Sequence, residues 1–186
     1  MKRVFWLLGL AVILTGCSAE SREIDRAMEL RNKLLDSVSC EFQAEITADY
    51  GDTLNMFAVD CQADAGGNLC FTVTAPETIA GITGTVSDAG GTLTFDETAL
   101  YFALMADDQL TPVSAPWIFL KTLRSGYITS ACMEEELLHL TVDDSYEEDA
   151  LQLDIWVDAE DRPVRSEILY DGKRILSLDV ENFGIS

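Results

Sequence analysis

The sequence predicts an α+β domain that is mostly β: about eleven antiparallel strands in a long meander, with one helix leading and one inserted. Three observations carry this. Apolar and polar residues alternate with period two from Val38 onward. Turn chemistry ("DYGD", "DAGGN", "SDAGG", "DAEDRP", "YDGK") recurs between the alternating runs. Only two stretches carry helical spacing instead.

The first of these is 21–36, "SREIDRAMELRNKLLD", where Ile24, Ala27, Met28, Leu34 and Leu35 share a helical face. Acidic residues lead it, and Arg31 and Lys33 close it, as the helix dipole favours. The strand 38–48 follows. Val38, Cys40, Phe42, Ala44, Ile46 and Ala48 lie on one face, with Glu41, Gln43, Glu45 and Thr47 on the other, the pattern of a half-buried strand. Further strands are expected near 54–61, 69–75, 79–86, 92–95, 100–105, 127–133, 137–142, 151–157, 164–170 and 174–182. Pro116 near its start and Gly126 after its end bracket the second helix, 116–125, with Lys121 and Arg124 late in it.

Ahead of all this stands a different kind of segment. Lys2 and Arg3 precede an apolar run from Val4 to Leu14, too short to span a bilayer as a helix, which needs about 20 residues. It ends on Leu14-Thr15-Gly16-Cys17, a close that resembles the bacterial lipobox. That resemblance implies a signal peptide over 1–16, cleavage before Cys17 and a diacylglyceryl thioether on Cys17. Residues 17–22 then form a polar tether, and 23–186 the domain. Two or three acyl chains anchor stably where one is marginal. The expected location is the extracytoplasmic face of the cell membrane, with the bilayer as a partner through Cys17.

Composition excludes some functions. The chain carries a net charge of −21, and removing Lys2 and Arg3 leaves ten basic residues against 33 acidic, a net of −23. Such a surface repels nucleic acid. Four cysteines remain after Cys17. An even number outside the cytoplasm favours disulfides. A two-residue loop at Tyr50-Gly51 would place Cys40 opposite Cys61, with Phe42 opposite Val59. Phe71 then falls opposite Cys61, and Val73 opposite Val59, around a five-residue loop 64–68. This favours a Cys40–Cys61 disulfide and leaves Cys70 and Cys132 either joined to each other or both free.

Catalysis has no nominee. His139 is the only histidine, on a strand whose other face is Leu138, Leu140 and Val142, and it reads as a surface strand histidine. The acidic run Asp143 to Asp149 lacks calcium-loop spacing, and the glycines of "GITGTVSDAGG" lack a phosphate-loop order. No catalytic residue, metal site or cofactor is expected. Excess apolar surface is the positive signal: strand 54–61 is apolar on both faces, "ALYFALM" (Ala99 to Met105) is continuous, and the second helix presents Trp117 and Phe119. Between sheet and helices such residues form either a filled core or a concave ligand pocket.

With "CEFQAEITADYG", "TLTFDETALYF", "APWIFLKTL" and the C-terminal "LQLDIWVDAEDRPVRSEILYDGKRILSLDVENF" in hand, the chain resembles the lipoprotein-carrier superfamily typified by LolA and LolB over residues 23–183. The resemblance implies a strongly curved, unclosed antiparallel sheet, a half-barrel, wrapped around the two helices. It also implies a monomer whose concave apolar side holds a lipid or acyl chain. The expected lining is Phe42, Phe57, Val59, Phe71, Val73, Phe102, Trp117, Phe119 and Leu120, with helix 116–125 as lid. The alternative expectation is a filled-core interaction or sensor module of the cell envelope that binds a protein partner through its acidic surface.

Overall fold

A computed structural model describes residues 17–51, 53–106, 109–147 and 150–186. Residues 1–16, expected as a signal peptide, lie outside the described residues, as do positions 148 and 149 of the acidic run.

Helix α1 (Cys17–Asp36) leads into strands β1 (Ser39–Asp49), β2 (Leu54–Asp64), β3 (Leu69–Ala75), β4 (Thr83–Ser87), β5 (Gly90–Phe95) and β6 (Thr98–Phe102). A two-residue pair, β7 (Met105–Ala106) and β8 (Gln109–Leu110), and a single 3₁₀ turn (Pro112–Ser114) precede helix α2 (Ala115–Ser125). Strands β9 (Tyr127–Glu134), β10 (Leu137–Asp143), β11 (Gln152–Val157), β12 (Pro163–Tyr170) and β13 (Lys173–Ile185) complete the chain.

The main sheet has eleven antiparallel strands in the order β6-β5-β4-β3-β2-β1-β13-β12-β11-β10-β9. It is two meanders rather than one. Strands β1 to β6 and β9 to β13 each run by consecutive hairpins, and they join where the first strand pairs with the last. The two ends, β6 and β9, never pair, so the sheet is unclosed. Its inner face carries the alternating apolar residues, for example Phe42, Ala44 and Ile46 of β1 and Leu138, Leu140 and Val142 of β10, all buried. That face curls around the helices. Helix α1 packs against β9 and α2, and α2 packs against β10, β12 and β13.

Helix α1 differs from the sequence pattern in two ways. Helix α1 begins at Cys17, so residues 17–22, expected as a tether, have helical backbone. Its buried stripe is Ala27, Leu30 and Leu34, while Ile24, Met28 and Leu35 of the expected face are exposed. Polar anchors set this rotation. On one flank Arg26 Nε donates to Asp161 Oδ1 at 2.8 Å and Lys33 Nζ to Asp161 Oδ2 at 2.7 Å. On another, Arg31 Nε donates to Leu123 O at 2.9 Å, tying α1 to α2.

The first hairpin corrects the disulfide expectation. Asp49 pairs with Leu54 around a four-residue loop, closed by Tyr50 N–H to Thr53 O at 3.1 Å, with Gly51 at φ +84°. Register therefore shifts by two: Cys40 faces Ala63, and Cys61 faces Phe42. A two-residue shift keeps every side chain on its face, so the apolar row survives. The two thiols, however, become diagonal neighbours, roughly 7–8 Å apart at Cα, beyond ordinary disulfide reach. Both are free and buried. Desolvation pushes the Cys40 thiol up to about 12 and raises that of Cys61 still further. Cys70 and Cys132 are free and exposed. They sit on strands seven places apart, about 34 Å along the sheet at its usual strand spacing, so they cannot pair with each other. The second hairpin is as expected, with Phe71 opposite Cys61 and Val73 opposite Val59.

Candidate functional site: the inner face of the sheet

Inward-pointing residues can be followed strand by strand across the sheet, because directly opposed residues share a face. One such row runs Phe42, Cys61, Phe71, Gly84, Leu93, Leu100 from β1 to β6. Beside it runs Leu69, Val86, Gly91, Phe102 from β3 to β6.

Exposure changes steeply along these rows. Phe42 and Phe71 are 2% and 3% exposed, Leu93 is half-buried, and Leu100 is 64% exposed. Phe95, two residues beyond Leu93 on the same face, is 59% exposed. The helices cover the inner face over β9 to β13 and β1 and reach the β2–β3 turn. On β4 to β6 that cover thins out: Val86 is still buried and Leu93 and Phe102 are half-buried against the core, while Phe95 and Leu100 carry the same apolar face into solvent. A bare, greasy shelf therefore extends directly from the core.

Two glycines make that shelf flat. A Cβ on Gly84 would come within 2.5 Å of the Phe71 ring and 2.7 Å of Thr92 O. A Cβ on Gly91 would lie 2.1 Å from the Phe102 ring. Each phenylalanine thus lies over the glycine directly opposite it on the neighbouring strand, the aromatic-over-glycine pairing that keeps a glycine strand in register.

The nine expected lining residues divide unevenly over this surface. Phe42, Phe57, Val59, Phe71, Val73, Trp117, Phe119 and Leu120 are buried core residues, at 9% exposure or less. Phe42 and Phe119 meet edge-on with ring centres 5.8 Å apart, and Phe183 lies 5.8 Å from Phe42, filling the centre with aromatic rings. Phe102 alone of the nine is half-buried, where the core gives way to the exposed end of the face. Leu93, Phe95 and Leu100 complete that end and were not singled out from sequence. The continuous run Ala99 to Met105 held the signal, but continuity alone does not say which residue is left bare.

Helix α2 is tied down rather than loose. Trp117 Nε1 donates to Gly67 O at 3.0 Å, and Arg124 donates to Ala65 O at 2.9 Å and Asp64 O at 3.3 Å. Lys121 pairs with Asp88 at 3.0 Å and lies over the Trp117 ring. Between these groups remains a pocket of about 200 Å³. Among the described residues no group of three or more His, Cys, Asp or Glu is placed to hold a metal ion. No described helix is long and apolar enough to cross a membrane.

Residues 1–18 match the family model for the prokaryotic membrane lipoprotein lipid attachment site. The chain is thus a lipid-anchored membrane lipoprotein whose folded part is a half-barrel with its inner face partly uncovered. No curated protein matches it. Among solved structures it is similar to an uncharacterized conserved protein of Thermus thermophilus, at 12% identity and TM-score 0.48, covering 86% of this chain and 87% of that one. It is also similar to a LolA superfamily protein of Nitrosomonas europaea, at 8% identity and TM-score 0.45, covering 86% and 93%. The Mycobacterium tuberculosis lipoprotein LppX is similar at 12% identity and TM-score 0.42, covering 87% and 93%.

Proposed function

We propose that this lipoprotein binds a lipid acyl chain, or another elongated hydrophobic ligand, at the extracytoplasmic face of the membrane, on the inner face of β4 to β6. One observation carries the reading: the apolar rows that form the core continue through half-buried Leu93 and Phe102 to exposed Phe95 and Leu100. A monomeric soluble domain rarely leaves such a contiguous apolar shelf without use. Each methylene buried there contributes about 0.8 kcal/mol before the cost of ordering the chain. The domain acts as a single copy, held to the bilayer through the first residue of α1, and neither a cofactor nor a catalytic group takes part.

Native mass spectrometry of the full, acylated chain released gently from membranes tests this. The wild type is expected to carry one additional non-covalent lipid, and the Leu100→Asp variant to lose it. Equal occupancy in both, or none in either, would contradict the reading. The covalent anchor is the same in both and cancels.

A second reading rests on the opposite face. There the outer sides of β1 to β5 form a hollow of about 560 Å³ lined by Glu41, Asp60, Gln62 and several threonines. A protein partner presenting basic side chains would suit it. Capture of such a partner would weaken steeply with salt and be indifferent to Leu100→Asp.

A further inference from the structure

The outer face at the other end of the sheet carries a cluster that lipid binding does not use. Register places Cys132 of β9 opposite His139 of β10, His139 opposite Trp156 of β11, and Thr141 opposite Asp154. His139 Nε2 lies 3.1 Å from Asp154 Oδ1, which also accepts from Thr141 Oγ1 at 3.0 Å. A carboxylate only accepts, so Nε2 carries a proton, and in the neutral ring the lone pair is on Nδ1. That nitrogen faces the Cys132 sulfur at 4.0 Å. Trp156 fixes the ring from the side, stacking on it at 4.7 Å and 7° while its Nε1 donates to Glu134 Oε2 at 2.8 Å. Glu134 Oε2 also stands 3.5 Å from Nδ1, placed to pair with the imidazolium once that nitrogen is protonated.

We propose that Cys132 is a thiol–disulfide exchange site, with His139 as its base and Asp154 as the residue that orients that base. In the step, the Cys132 thiol proton passes to His139 Nδ1, and the sulfur attacks one sulfur of a small-molecule disulfide. The disulfide S–S bond breaks, a mixed disulfide forms on Cys132, and the departing thiolate takes the proton back from His139. One disulfide and one thiol enter; one mixed disulfide and one thiol leave, with no further oxidant.

The remaining thiols provide internal controls. Cys70 is also exposed, but its cross-strand neighbours are Gln62 and Thr85, and His139 is the only histidine in the chain. Cys40 and Cys61 are buried. Cys17, once a thioether, has no thiol.

The experiment follows release of thiopyridone from dithiodipyridine, a neutral aromatic disulfide, by the full acylated chain at neutral pH. Cys132 in the Cys70→Ser variant is expected to react at least about tenfold faster than Cys70 in the Cys132→Ser variant. Adding His139→Gln to Cys70→Ser should bring the rate down to that of Cys70, and free imidazole should restore it in His139→Ala. Equal rates at the two cysteines, or a rate unchanged by His139→Gln, would overturn the proposal. Misfolding would show itself as more than one equivalent released, as the buried thiols open. In that case Asp154→Asn in the Cys70→Ser background decides: slower exchange at one equivalent supports the site, and an unchanged rate refutes it.

Discussion

The covered and uncovered parts of the inner face are built from the same alternating pattern, yet they do different things. Over β1 the row position is Phe42, packed against Phe119 and Phe183 and almost free of solvent contact. Over β6 it is Leu100, mostly in water. Nothing in the residue type separates them. What separates them is that the connection through α2 returns across one half of the sheet and not the other. The lesson is that an apolar strand face becomes core or binding surface according to what crosses it.

This comparison breaks most visibly at its covered side. Phe119→Ala should cost about 3–5 kcal/mol in denaturant unfolding, the usual range for emptying a fully buried ring position. Gly84→Ala, at the boundary, should cost about 1–3 kcal/mol, because the new Cβ meets the Phe71 ring and the Thr92 carbonyl with no room to move apart. Any loss of lipid occupancy in Phe119→Ala should track the unfolded fraction and vanish where the variant is fully folded.

A smaller effect concerns the anchoring of α1. Partial burial opposes ionisation of Asp161, but hydrogen bonds from Lys33 and Arg26 outweigh it and hold the carboxyl below its usual range. Its folded value therefore lies below the unfolded one, near 3.9. The stabilisation is complete above that value and is lost as pH falls through the folded one. The urea midpoint should fall as pH drops below about 4, and Asp161→Asn should flatten part of that fall. No flattening would mean that Asp161 does not hold the helix.

Least disturbed of all should be the stability of Leu100→Asp, within about 0.5 kcal/mol of wild type, since an exposed side chain gives up little packing. Its lipid binding should nonetheless disappear. That separation of stability from binding is what distinguishes the two halves of the face.

Much of this architecture was legible in the sequence. Alternation located the eleven strands of the main sheet, and Pro116 and Gly126 bracketed α2. Register was less so. The hairpin after β1 kept its apolar face but slid by two residues, because its loop holds four residues rather than two, and that was enough to part Cys40 from Cys61. The rotation of α1 also escaped, since it is set by Asp161, 128 residues away from Lys33. Of the residues at the end of the face proposed to bind, Phe102 was among those expected and Leu93, Phe95 and Leu100 were not. Exposure of an apolar strand residue depends on where a distant helix lies, and local pattern carries no record of that. His139 read as a plain surface residue because its partners, Cys132 and Asp154, come from neighbouring strands.

The most direct test of the uncovered shelf is to supply membranes bearing the full chain with a photoactivatable fatty acid and map the adducts by peptide mass spectrometry. Adducts on residues 91–102 that vanish in Leu100→Asp are the expected result. Labelling confined to the outer face, or spread evenly over all exposed peptides and unaffected by that substitution, would contradict it.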